Sequence, residues 1–174
     1  PRAIPRHQPR SWTNNLQWTA PWTPTQAAEC FARLEAEFAA GIEELQQALP
    51  WADATGREEL LREMGLAETI RCSAHNVRNL IAWIPLRDAY LAAPADQRQS
   101  LRQQLVAIAQ DELANARSAI RWVEADSRIG ATSSGDSLPE RGGLFTPAMI
   151  SAKIGILEDV LERQLSAYSP SQAP

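Results

Sequence analysis

The sequence predicts an all-α fold, an antiparallel four-helix bundle with an extended N-terminal Pro/Trp-rich arm. Apolar residues recur at spacings of three and four in four separate segments, which is the period of an amphipathic helix. Two of those segments open on a threonine followed by proline, Thr23-Pro24 and Thr146-Pro147, the order expected of an N-cap and the first helical position. No stretch of alternating polarity competes with these signals, and no internal repeat is present.

Residues 1–22 carry Pro1, Pro5, Pro9 and Pro21, three tryptophans (Trp12, Trp18 and Trp22) and no helical period, so they read as an arm or linker. Thr23-Pro24-Thr25-Gln26 then offers a capping box, and Phe31, Leu34, Phe38, Ile42, Leu45 and Leu49 form one apolar face as far as Pro50. After a turn at 51–56, a second stripe runs from Leu60 through Met64, Ile70, Ala74 and Ile81 to Ile84. Pro85 should kink or break it before Tyr90. A third helix starts near Ala95-Asp96 and extends to about Asp126 without glycine or proline. Residues 127–145 are rich in Gly, Ser, Asp and Pro, and loops of that length within a domain are commonly functional or mobile. The fourth helix carries Ile150, Ile154, Leu157, Leu161 and Leu165, and 166–174 reads as a frayed tail. The domain proper is therefore expected at 23–165.

At 174 residues the chain is of single-domain size and can bury a core without metal or disulfide support. Seventeen Lys and Arg against 21 Asp and Glu give a net charge of −4, which supplies no basic stripe for nucleic acid. No apolar run approaches the ~20 residues of a membrane span. No cofactor is implied, and a di-iron bundle, which needs Glu-x-x-His on two helices, is excluded because Cys72 stands three residues before His75 and the other histidine is His7 in the arm. A chain beginning at Pro1 is expected to be processed or part of something longer. The compartment is left open.

Helical-hairpin register supplies the most informative constellation. If the second and third helices turn near Ala93, facing residues have numbers summing to about 186. His75 is then expected opposite Glu112, Arg71 opposite Asn115, and Arg78 one turn from His75. Glu112 and Asn115 interrupt the apolar stripe of the third helix, so a polar layer of Arg71, His75, Arg78, Glu112 and Asn115 is expected inside the bundle. Such a layer either fixes helix pairing, its better-attested use, or provides an acid/base pair or anion site. Cys30 and Cys72 are expected to be buried free thiols, with a bridge between them left open. Glu124, Asp126 and Arg128 form a charged elbow at the end of the third helix, which reads as a helix stop or a docking point. Trp12, Trp18 and Trp22 are candidate arm contacts.

The segments Asp111-Glu112-Leu113-Ala114-Asn115-Ala116, Val123-Glu124-Ala125-Asp126-Ser127-Arg128-Ile129-Gly130 and Gly143-Leu144-Phe145-Thr146-Pro147 resemble the C-terminal helical domain of large bacterial glycoside-hydrolase-like proteins, including alpha-glucuronidase-related ones. In those proteins the catalytic carboxylates belong to a preceding barrel. The resemblance therefore implies a non-catalytic accessory domain, with another domain or subunit of a carbohydrate-active protein as its partner, and transfers no catalytic residue to this chain. Ala131 departs from the pattern, where an aromatic residue is expected. The alternatives are a ligand-binding or acid/base bundle using the polar layer, and a homodimerisation module. An accessory domain should present an apolar docking face, whereas a bundle enzyme should have a cavity at the polar layer.

Overall fold

Each helix begins where the chain supplies a group to satisfy its free amides. In the computed structural model, which describes residues 16–126, 129 and 146–165, helix α1 spans Pro24–Ala48. The Thr23 hydroxyl accepts from the Gln26 amide at 3.2 Å, and the Thr23 amide donates to the Gln26 side chain at 3.0 Å, closing the predicted capping box. Helix α2, Ala54–Ala92, is capped by Asp53, whose carboxylate accepts from the Gly56 amide at 2.8 Å. Helix α3, Ala95–Ala125, starts after Pro94 without a side-chain cap. Helix α4, Pro147–Asp159, is capped by Thr146, and its last turn widens to π spacing over Val160–Gln164, with the Leu165 amide donating to the Val160 carbonyl.

Pro85 does not break the second helix. Its ring lies on an exposed face and α2 continues to Ala92, so the proline removes one intrahelical bond without ending the element. Before α1, Gln17–Thr19 form a single 3-10 turn. Thr19 is buried there, its hydroxyl donating to the Leu16 carbonyl at 2.8 Å, and Trp18 is half-buried. Trp22 is 60% exposed. Trp12 and the rest of the arm, like the tail after Leu165, lie outside the described residues.

The helices run up and down in chain order: α1 packs along α2, α2 against α3 and α3 against α4. Among the described residues there is no strand. The α2–α3 hairpin is the centre of the arrangement, and its core is built largely of small side chains. Cys72, Ala116, Ala119, Val123 and Ile150 form one buried cluster joining α2, α3 and α4. Leu105 and Val123 are each 1% exposed. At Gly65 the α2 backbone comes close to the Trp122 ring, and an added Cβ would meet that ring at 3.4 Å. Helix α1 is peripheral by comparison, with Ala27 and Ile42 as its buried residues. Among the described residues no helix is long and apolar enough to cross a membrane.

Candidate functional site

A charged layer crosses the middle of the molecule and takes side chains from all four helices. His75 on α2 is its hub: Nδ1 lies 2.7 Å from Glu35 Oε1 on α1, and Nε2 lies 2.5 Å from Asp111 Oδ2 on α3. Both ring nitrogens thus face carboxylates, and Arg78 Nη2 also stands 3.3 Å from Nδ1. Arg78 reaches Glu35 Oε2 at 3.0 Å, while Arg71 donates to Glu68 at 2.8 Å and stands 3.8 Å from Glu35. The Asn79 amide donates to Asp111 at 2.8 Å and to Glu112 at 2.9 Å. Glu112, 6% exposed, is also paired with Lys153 from α4, and Lys153 donates to the Asn76 side chain at 2.7 Å. Asn115 donates to the Cys72 carbonyl at 2.9 Å and to Glu112 at 3.3 Å.

All five residues of the expected polar layer lie in this region, but two of the expected pairings do not form. His75 meets Asp111 rather than Glu112, one position earlier on α3, and Glu112 turns towards Asn79 and Lys153. Arg71 pairs with Glu68 and Glu35, while Asn115 reaches the α2 backbone at Cys72. Adjacent positions on a helix point about 100° apart, so one step in register redirects the partner to a different neighbouring helix. Glu35 and Lys153 lie outside any α2–α3 hairpin argument, because their placement depends on how α1 and α4 dock. One compositional signal for Lys153 is present: it is the one lysine in a chain whose other basic residues, histidines apart, are arginines.

Partial burial by itself would push the Asp111 carboxyl up. Hydrogen bonds from Asn79 and His75, with the charges of His75 and Arg78, instead hold it below its ordinary value of 3.8. A carboxylate depressed in the folded state contributes stability above its unfolded pKa and loses that contribution as pH falls through the folded value. Denaturation midpoints should therefore drop on acidification below about pH 4, and Asp111→Asn should flatten that part of the profile. A variant profile that superimposes on the parent's would show that Asp111 carries none of it.

The elbow is only partly within view. Glu124 is exposed and Asp126 ends α3, its amide donating to the Trp122 carbonyl at 3.3 Å and its carbonyl accepting from Ile129 at 3.0 Å. That geometry is a helix stop. Arg128 lies outside the described residues.

The cysteines correct one expectation. Both are free, but Cys30 is exposed on α1 and only Cys72 is buried, because α1 turns Cys30 away from α2. Burial pushes the Cys72 thiol up, beyond what the neighbouring Arg71 charge offsets. Under native conditions a thiol reagent should modify Cys30 alone, with Cys72 following only on unfolding. Equal native reactivity at the two positions would contradict the burial of Cys72.

Two cavities flank the Lys153–Glu112 pair. One, about 340 Å³, lies between α2, α3 and α4 on the side of Thr69, Cys72, Ala116, Val123 and Ile150. The other, about 230 Å³, lies towards Trp83, Ile108 and Leu157. Among the described residues no cluster of three or more His, Cys, Asp and Glu side chains is arranged to hold a metal ion.

The chain matches no known family model, no curated protein and no solved structure. The site's own chemistry is therefore what bears on function. Its charges are arranged as partners for one another across helix boundaries.

Proposed function

We propose that this chain is a non-catalytic helical interaction domain, an accessory module of a larger carbohydrate-active protein. The observation that carries the first half of the reading is the mutual pairing within the layer. His75 is held between Glu35 and Asp111, the Arg71 and Arg78 guanidiniums lie on carboxylates of α1 and α2, and Glu112 is held by Lys153, Asn79 and Asn115. The cavities beside Lys153 and Glu112 are what the ligand-binding alternative expects, but an acid/base catalyst needs a proton-carrying atom directed at a substrate, and most of the titratable atoms here are directed at one another. Ion pairs that bridge helices fix which helices pack and in what register.

Large apolar side chains left on the surface support the interaction half. Trp51, at the α1–α2 turn, is 90% exposed, and Leu91, near the α2–α3 turn, is 68% exposed. Trp is enriched among residues that dominate interface energetics. The carbohydrate-active half rests on the resemblance of the segments 111–116, 123–130 and 143–147.

The test is to read the gene on both sides of this segment, prepare the adjoining polypeptide, and titrate it with the 174-residue chain. The proposal expects saturable binding, weakened at least about tenfold by Trp51→Ser, whereas Leu91→Ser, at the far end of the 39-residue α2, should leave it unchanged. It also expects glycosidase activity in the adjoining part and none in this chain. Self-association removed by Trp51→Ser, with no carbohydrate-active neighbour in the gene, would favour the homodimerisation reading instead.

A further inference from the structure

The larger cavity has features that an interaction domain does not require. Its wall is apolar and made mainly of small residues: Cys72, Ala116 and Ala119, with Val123 and Ile150, are the cluster that forms the core where α2, α3 and α4 meet. Ile120, Ile129 and Ile154 pack against this cluster, and the small side chains at three of its five positions leave room for a cleft beside it that opens to solvent on one side. Met149, itself half exposed, stands at the rim. A volume of about 340 Å³ falls within the range of small-molecule sites. A dry cavity of 150 Å³ takes benzene, so this one has room for about a dozen non-hydrogen atoms.

At the polar end of the cavity Lys153 stands with Asn76, Glu112 and Asn115, and Thr69 and Ser73 add hydroxyls to the α2 side. Among the described residues Lys153 Nζ has two acceptors, Asn76 Oδ1 and a Glu112 carboxylate oxygen, for three N–H donors. The remaining donor belongs to a side chain that lines both cavities. The nearest charge, Glu112, is already balanced by Lys153, so a second carboxylate brought here would stand beside a like charge with no cation of its own. A neutral acceptor meets no such penalty.

The geometry points to a binding site for a small, neutral, mostly apolar molecule carrying one carbonyl-type hydrogen-bond acceptor, the acceptor on Lys153 Nζ and the apolar body against Ala116, Ala119 and Ile150. This site is separate from the surface assigned to protein contacts above, and its failure would leave that reading standing.

Three probes of equal size separate the terms: acetophenone, which has the acceptor, α-methylstyrene, in which a methylene group replaces the carbonyl oxygen, and benzoate, which adds a charge. Because Lys153 is the one lysine, 15N-lysine labelling of the full chain gives a single side-chain reporter at the site. Acetophenone should bind saturably with one site per chain and shift the Lys153 Nζ resonance. α-Methylstyrene should bind at least about fivefold more weakly, and benzoate more weakly still. Ala119→Leu, which fills the cavity, should abolish binding. Met149→Trp, at the exposed rim where folding is not at stake, should weaken it if the Leu variant does not fold. Equal affinity for acetophenone and α-methylstyrene, binding insensitive to both substitutions, or no saturable binding by any probe would overturn the proposal.

Discussion

Lys153→Met is expected to destabilise the protein by about 3 kcal/mol, the largest effect of any single substitution in the charged layer. The Glu112 carboxylate that it would leave behind is buried, and only the neutral amides of Asn79 and Asn115 would remain to hold it. Lys153 itself is about one-third exposed, so the complementary change is milder. Glu112→Gln keeps a hydrogen-bonding group and leaves the ammonium within reach of water, at about 1–2 kcal/mol. The order of the two effects is the informative part, and urea denaturation of both variants at neutral pH measures it. If Lys153→Met costs less than Glu112→Gln, the carboxylate is not held as described.

His75→Ala should cost about 1–3 kcal/mol, and its effect should be uneven along the chain. The imidazole ties Glu35 on α1 to Asp111 on α3 across the helix it belongs to. Without it Glu35 retains Arg78 and Asp111 retains Asn79, so neither carboxylate is orphaned, and Asp111 is half exposed in any case. The lost connection is the shortest of those that tie Glu35 on the peripheral helix to α2. Hydrogen exchange should therefore accelerate in α1 well before it changes at the α2–α3 core. Uniform loss of protection through all four helices would show that α1 and the hairpin unfold as one unit and that His75 is not a local fastening.

The helices were legible in the sequence because their signals are local. A Thr-Pro pair with Gln26 three residues after Thr23 is a complete capping box, and its hydrogen bonds form as the residues dictate. At Pro85 the local signal allowed a kink or a break, and the break does not occur. A proline on an exposed face of a 39-residue helix is carried by the packing of the rest, so α2 outlasts it. The polar layer was legible to within one residue: Glu112 and Asn115 stand out against an apolar stripe, and both are buried. Their partners were not. Whether Glu112 faces His75 or Lys153 turns on the rotation of α3 and on where α4 docks, and α4 follows a long connection whose sequence sets no register. Glu35 escaped notice for a similar reason, since one acid among many on a peripheral helix carries no sign of being half-buried beside a histidine. Cys30 was misplaced because a helix covered by one neighbour exposes positions that a fully enclosed helix would bury.

The central claim is that the layer holds helices together through pairing within itself. A double-mutant cycle on Glu112 and Lys153, with Glu112→Gln, Lys153→Met and the pair together compared by denaturant unfolding at neutral pH, tests it most directly. The predicted result is a coupling of more than about 1 kcal/mol, the double variant being more stable than the sum of the single losses implies, because removing the carboxylate relieves the charge that Lys153→Met strands. Additive losses, with a coupling near zero, would mean that the two groups are not partners in the folded protein and would contradict the account.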